Sequence, residues 1–583
     1  MNYALDARPK ETSGALTAVK RLWLLMRDEK RTLILALASV IANAALNLTA
    51  PVLVGRAVDR YVMTKQYHGV LMYSAILLGV YLTALITQYL QTRLMGGVGQ
   101  RVLYKLRDAI FAKLQALPIG FFNQNKSGDL ISRINNDTDK LNQFFSQALV
   151  QFVGSLFIMI GAGIFLISLN PMLGAAALAP AALVVIFTRA VSPWVKRRNA
   201  LSLKSTGGLS AEIQESLENF KVIVAFNRRD FFRRRFETAN DDNFRAAVGA
   251  GVANSLFVPV YTFSSQLAQL LVLSFGVYLI LVGRSTLGLL ISFLAYVNSF
   301  YNPMRQLAAL WANFQVALAG WDRIAAILSL ETDLVRMPEV SAAKTGPLLE
   351  FDHVRFSYAG GRDVLHQVSF SLERGKTYAF VGPTGGGKTT TASLMARLYD
   401  PDEGAVRLDG RDIRGYAESE RAARIGFILQ EPFLFSGTVW ENLAYGNGRQ
   451  EGLDKAGVEG LIARHDLREL LKRFDNGLDT SVSGNQGLSL GQRQLIAFMR
   501  AVIREPELLI LDEATANVDT VTEKLLDGIL KKLPATTTRV IIAHRLSTIE
   551  NADEIFFVNG GSITRAGSME HAVELLMHDK RQS

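Results

Sequence analysis

The sequence predicts two domains: an all-α bundle of six membrane-spanning helices, then an α/β domain built around a phosphate-binding loop. Three observations predict this. Six long apolar runs, all before about residue 320, match the ~20 residues a helix needs to cross a bilayer. A glycine-rich stretch at 382–390 joins an apolar strand to a helix-forming segment. A second apolar strand, Leu508 to Leu511, ends in the paired acids Asp512 and Glu513.

At 583 residues the chain exceeds one ordinary domain. Hydrophobic residues make up 49% and charged residues 20%, an apolar balance for a purely soluble protein. The net charge of +10 raises nucleic acid as a partner, but basic loops on one side of a membrane account for it better, and no nucleic acid is expected. The absence of cysteine excludes disulfides, thiol nucleophiles and cysteine metal sites. Lys20, Arg21, Arg27, Lys30 and Arg31 near the start are not followed by a short apolar core ending in small residues, so no cleaved signal peptide is expected.

The spans run Leu33 to Val54, Val70 to Leu90, Leu149 to Leu169, Met172 to Val195, Leu256 to Val282, and Leu287 to about Pro303. Only the fourth holds a charge, Arg189, placed late enough to reach the interface. A central charge costs about 2.5–3.5 kcal/mol on insertion scales, so charge-free runs are what a bilayer selects. The connections alternate between short and long. Arg93, Arg101, Lys105, Arg107 and Lys113 follow the second span, and Lys196 to Arg198, Lys204, Arg228, Arg229 and Arg233 to Arg235 follow the fourth. This asymmetry predicts that the basic side, both termini and the α/β domain are cytoplasmic, in a multi-pass protein of the cell (inner) membrane. Arg56, Arg60 and Lys65 run weakly against the rule.

The long basic segments keep helical periodicity: Ala109, Ile110, Lys113, Leu114 and Leu117 in one, and Ile213, Leu217, Phe220 and Val224 in the other. They read equally as helix extensions packed on one another or as hairpins carrying force to the next domain. Asn43, Asn47, Gln88, Gln266 and Asn298, scattered along the spans, read as interhelical hydrogen-bond donors or as cavity lining. The expected limits are a leading segment 1–32, a membrane domain 33–325, a linker 326–347 and a nucleotide domain 348–583.

In the nucleotide domain, Leu348 to Phe351 and Val354 to Tyr358 read as strands. Tyr378 to Val381 then runs into Gly382, Pro383, Thr384, Gly385, Gly386, Gly387, Lys388, Thr389 and Thr390. Glycines let backbone N–H groups close around phosphate oxygens, and the following helix adds its positive end. Lys388 is expected on the β- and γ-phosphates of ATP and the Thr389 hydroxyl on Mg²⁺. Asp512 is expected in the Mg²⁺ shell and Glu513 as general base for the attacking water.

Leu488-Ser489-Leu490-Gly491-Gln492-Arg493-Gln494 resembles the signature of ATP-binding cassette (ABC) proteins, just upstream of the acidic strand. The resemblance extends over the whole chain to half-size ABC exporters of the bacterial multidrug and lipid-flippase type. Residues 121–139 and 212–226 look like that family's first and second intracellular loops. The resemblance implies an adenine-stacking role for Tyr358, Mg²⁺ and water sensing for Gln430, a dimer contact for Asp519 and a γ-phosphate switch for His544. It implies that Ser489, Leu490, Gly491 and Gln492 act on a nucleotide held by a second half-transporter, since such cassettes close head to tail.

Leu490 stands where the signature usually has Gly, residues 480–487 lack a common Glu, and the dimer-contact segment reads Ala516-Asn517-Val518-Asp519. Such departures resemble heterodimeric exporters, so a heterodimer is favoured slightly over a homodimer. The expected activity is ATP-driven export of an amphipathic small molecule, drug or lipid. Uptake on the same architecture and an ATP-gated channel are the alternatives; sustained polar stripes, expected of a pore, are missing from the spans.

Overall fold

A computed structural model describes residues 3–5, 29–331, 334, 337, 346–359, 361–447, 453–484, 487–512, 520–542, 552–567, 570–571 and 574. The chain divides into two compact units, one of Pro9–Leu114 and Gly128–Ser329, the other of Met1–Arg8, Gln115–Ser127 and Leu330–Ser583.

The first unit is helical: α1 (Lys30–Ala57), α2 (Tyr67–Gln115), α3 (Leu149–Leu169), α4 (Pro171–Glu218), α5 (Phe220–Ala225), α6 (Arg229–Ser255), α7 (Phe257–Leu281) and α8 (Leu287–Leu328). Among the described residues, five helical stretches are long and apolar enough to cross a membrane. The sixth expected span is helical as part of α8 but less apolar, because Asn298, Ser299, Asn302 and Pro303 interrupt it. In the window of α2 that suits a bilayer only 6% of residues are buried, so its apolar side chains face outward, as lipid contact requires.

α2 and α4 hold 49 and 48 residues. At 1.5 Å per residue each is about 70 Å long, more than twice a ~30 Å hydrocarbon core. The basic segments are therefore continuations of the spans. α4 and α6 pack on each other through Arg235, whose guanidinium reaches Glu212 at 2.8 Å and Glu215 at 3.2 Å, and through Thr206 on Asn243 at 2.9 Å. The segment between the fourth and fifth spans is thus built of helix extensions packed on one another. The third and fourth spans are separated by Asn170 alone: its side chain accepts from Leu173 N at 3.1 Å and Pro171 opens α4, a cap that turns the chain within one residue.

The bundle core gathers Phe293, Tyr296 and Val297 of α8 on Ala162 and Leu166 of α3, Leu173 and Ala177 of α4, and Ala268 and Val272 of α7. Polar side chains join helices. Asn43 donates to Ala84 O at 2.8 Å and Thr87 Oγ1 at 3.1 Å, Gln269 donates to Asn298 at 2.9 Å, and Tyr301 donates to Ala177 O at 3.0 Å. Asn43 and Asn298 thus act as interhelical ties. At one end of the α1–α8 seam the backbones touch: a Cβ on Gly55 or Gly288 would collide with the other's carbonyl oxygen. Asp59 fixes that end, accepting from Gly288 N at 2.7 Å and Thr286 Oγ1 at 2.6 Å. At another point on α8, Arg323 pairs with Asp137, a carboxylate only 1% exposed.

The second unit carries twelve strands among its described residues: β1 (Leu349–Ser357), β2 (Asp363–Leu372), β3 (Thr377–Val381), β4 (Glu403–Leu408), β5 (Arg411–Asp412), β6 (Ile425–Ile428), β7 (Gly437–Thr438), β8 (Ser481–Val482), β9 (Leu508–Asp512), β10 (Thr538–Ile542), β11 (Glu554–Asn559) and β12 (Ser562–Arg565). The central sheet has the order β12-β11-β3-β10-β9-β6, parallel except for the edge strand β12. Every residue of β3 and β9 is buried, as a strand covered on both faces requires. A second, antiparallel sheet has the order β2-β1-β4-β5. The two short strands expected around residues 348–358 form one strand, β1, with a register irregularity where His353 takes φ 49°. In the same unit, Tyr3 N donates to Gln124 at 2.7 Å, and the Asn125 side chain accepts from Leu5 N and donates to Tyr3 O, both at 3.1 Å.

Candidate nucleotide site

The phosphate loop leaves β3 and enters α9 (Lys388–Met395) at the carboxyl edge of the parallel sheet, where open α/β folds place ligands. Two features show why it is glycine. Gly382, Gly385 and Gly387 take φ of 148°, 83° and 113°, values closed to most side chains, and a Cβ on Gly382 would strike the Val558 carbonyl. Lys388 is buried, with Nζ donating to the carbonyls of Gly382 and Pro383 at 2.9 Å each, so the ammonium is held over the loop.

Thr389, one residue into α9, donates to Asp512 Oδ1 at 3.4 Å. Asp512 is the last residue of β9 and 2% exposed. The fold thus brings together two residues 123 positions apart that the sequence assigned to one Mg²⁺ shell. They offer hard oxygens of the kind Mg²⁺ takes, and Mg²⁺ needs only one or two protein ligands beside phosphate and water. Gln430 lies two residues beyond β6, which pairs with β9 through Ile428 and Leu511, so it leaves the same sheet edge beside Asp512.

Tyr358 follows β1. Its hydroxyl meets Thr390 Oγ1 at 3.1 Å and its ring packs edge-on to Tyr399 at 5.3 Å, while the side chain stays 39% exposed. An exposed ring tethered to the phosphate loop suits a planar base lying over it. Tyr399 donates no such surface: its hydroxyl accepts from Asn123 Nδ2 at 2.7 Å, and burial pushes its pKa up. Tyr358, Tyr399, Tyr3, Asn123 and Gln124 share the lining of a cavity of about 290 Å³.

Ser489 caps α11 (Leu490–Val502). Its Oγ accepts from Gln492 N at 3.2 Å and Gln492 Oε1 accepts from Ser489 N at 3.0 Å, a reciprocal capping box. Leu490 and Gly491 form the first turn. The Ser-x-x-Gln spacing alone signals this cap, a feature the sequence reading passed over. Glu513, Asp519 and His544 lie outside the described residues.

Comparison with known proteins bears directly on this geometry. Residues 33–304 match the family described as "ABC transporter transmembrane region", and residues 365–516 match "ABC transporter". An uncharacterised ABC transporter ATP-binding protein of Bacillus subtilis is 31% identical over 97% of this chain and 93% of its own length. The chain belongs to the ABC transporters. Within them it is a half-transporter of exporter type, with membrane region and ATPase fused in one polypeptide, and it is an ATPase coupled to transport. It is also similar to a "fatty acid ABC transporter ATP-binding/permease protein" of Mycobacterium bovis, 35% identical over 85% of this chain and 78% of that one. An "ATP-dependent lipid A-core flippase" of Escherichia coli is 31% identical over 95% of both chains.

Two contacts of this ABC transporter were not legible in its sequence. The Tyr358–Thr390 tether needs β1 and α9 to meet, and the Arg500–Asn442 contact described below joins residues 58 positions apart. The Thr438-x-x-Glu441 spacing that caps α10 (Val439–Ala444), the helix holding Asn442, was the one local signal available.

Proposed function

We propose that this half-transporter exports an amphipathic molecule, a lipid or lipid-like drug, by ATP hydrolysis, as one of two cassettes closing head to tail. The observation that carries the reading is the meeting of Thr389 and Asp512 beneath the phosphate loop, in a chain that also bears apolar spans. Lys388 and the loop amides bind the phosphates; Thr389 and Asp512 hold the ion, with Gln430 beside them. Mg²⁺, when bound, neutralises charge developing on the phosphoryl oxygens. Glu513 takes a proton from the attacking water, His544 holds the γ-phosphate end, and Asp519 meets the second chain. Tyr358 supports the base. Ser489, Leu490, Gly491 and Gln492, at the positive end of α11, face the partner's nucleotide.

Lipid-handling relatives support the substrate class: one is named for fatty acids and another for lipid A-core. Exposed apolar side chains support the dimer. Phe220, Val222, Val224 and Phe226, in and just after α5, and Phe433, Phe435 and Tyr445 on the cassette are surfaces that a second chain would cover. Leu490 in the signature favours a distinct partner over a copy. The basic helix extensions support a cytoplasmic position for the cassettes and both termini, at the cell membrane.

The test is ATP-dependent movement of a fluorescent phospholipid and a cationic dye in inside-out vesicles, against Glu513→Gln. Accumulation inside the vesicles is expected, absent from the variant. Movement only in right-side-out vesicles would make the protein an importer. If the chain alone purifies as a dimer with full transport-coupled turnover, the heterodimer is wrong.

A further inference from the structure

α11 begins at the signature and ends against the loop that follows Gln430, and one side chain makes the second connection. Arg500, near the end of α11, donates from Nε to Asn442 O at 2.8 Å, from Nη2 to Asn442 Oδ1 at 2.9 Å and from Nη1 to Phe433 O at 3.3 Å. Its guanidinium also lies 6.0 Å from the Phe435 ring and 5.7 Å from the Tyr445 ring. Asn442 completes the clamp. Its Oδ1 accepts from Phe435 N at 2.9 Å, and its Nδ2 donates to Phe435 O at 2.8 Å and Thr438 O at 3.0 Å. The segment from Phe433 to Thr438 is thus held at its backbone by Asn442, and Asn442 is held by Arg500.

Between Arg500 and Ser489 the helix is a rigid rod. Its buried face, with Leu495, Ile496, Phe498, Met499 and Val502, packs on Leu434, Val439 and Leu443, so the rod and the clamped segment share one core. Eleven residues of helix put Ser489 about 16 Å from Arg500. A shift of the 433–438 segment therefore moves the rod as a body and re-aims its N-terminus. The exposed rings of Phe433 and Tyr445 make that segment a surface on which a neighbouring element can push.

We propose that Arg500 is a positioning residue for hydrolysis: through Asn442 it ties the segment after Gln430 to the signature helix, and so sets where Ser489 and Gln492 sit on a partner-held nucleotide. Lysine cannot replace it, because a single ammonium cannot span the Asn442 carbonyl, its amide oxygen and the Phe433 carbonyl from one planar fork. The proposal rests on the reading that Ser489–Gln492 engage the second chain's ATP.

The test uses the full transporter in lipid, with Mg-ATP as the probe, and compares Arg500→Lys, Asn442→Ala, their combination and Ser489→Arg. A positioning role acts only in the closed pair, so kcat should fall about five- to twentyfold in Arg500→Lys while KM for ATP stays within about twofold. The combination should be little worse than either single variant, since both break one tie. Thermal unfolding within about 2 °C of wild type in Arg500→Lys separates this from simple destabilisation. Unchanged kcat, or kcat and KM shifting together with a large fall in Tm, overturns the proposal. If Ser489→Arg is inactive and Arg500→Lys is normal, only the Arg500 role fails. If Ser489→Arg turns over normally, the reading of the signature fails, and the proposal with it.

Discussion

Arg323→Ala should destabilise the membrane unit more than Asp137→Asn does, although the two residues form one ion pair. The asymmetry lies in burial: Asp137 is 1% exposed and Arg323 is 48% exposed. Among the described residues, removing Arg323 leaves a buried carboxylate whose Oδ1 retains only Lys140, at 3.2 Å, and whose Oδ2 has no hydrogen-bond partner. Stranding one charge of a buried pair costs about 3–5 kcal/mol; the surviving lysine and the half-exposed arginine bring this to about 2–3 kcal/mol. Asp137→Asn removes the buried charge and frees Arg323 to reach water, so it loses about 1.5–2 kcal/mol, the lower range for a hydrogen bond to a charged group. The double variant should fall short of the sum by at least about 1 kcal/mol, because the contact can be lost only once. Thermal unfolding in detergent at one fixed heating rate reads the order, at roughly 2–4 °C per kcal/mol. An Asp137→Asn shift equal to or larger than that of Arg323→Ala, or strict additivity in the double variant, would refute the reasoning.

Three further outcomes follow from the cassette. Glu513→Gln should lower turnover about 10²–10⁴-fold while nucleotide still binds, measured by ATPase rate beside fluorescent-nucleotide titration; near-normal hydrolysis removes Glu513 from its role. Tyr358→Ala should raise KM for ATP about three- to tenfold, the worth of one aromatic stack, while Tyr358→Phe, which loses only the Thr390 contact, stays within about twofold. The Arg424 guanidinium bonded to Glu507 at 2.9 Å holds that carboxyl below the usual carboxylate range. A depressed folded-state pKa means stability that is present above the unfolded value of about 4.3 and lost as pH falls through the folded one. Glu507→Gln should therefore flatten the stability-against-pH curve below about pH 4.5, followed by near-ultraviolet circular dichroism; an unchanged acid limb would exclude the pair as a contributor.

Much of the molecule was readable because its physics is local. Charge-free runs long enough for a bilayer need no tertiary partner to be recognised, and the glycines at 382, 385 and 387 announce a backbone that only they adopt without strain. The acidic end of β9 was equally plain, since a fully apolar strand must stop where carboxylates meet water or metal. The less apolar character of the sixth span was also in the sequence, in Asn298 and Asn302. Periodicity could not show that α2 and α4 run unbroken from apolar to basic segments, because a helix with a polar end and two helices joined by a turn leave the same pattern.

What the sequence by itself determined is the kind of machine: apolar spans, a phosphate loop, a signature, and Leu490 standing where a glycine is usual. What only the tertiary structure decided is which distant residues meet. Thr389 reaches Asp512 because α9 begins and β9 ends at the same sheet edge, Tyr358 reaches Thr390 because β1 crosses to the phosphate loop, and Arg500 reaches Asn442 because two helices share one core. Such meetings depend on chain paths across more than thirty residues, and short-range hydrogen-bond geometry and packing fix them only after the fold has closed.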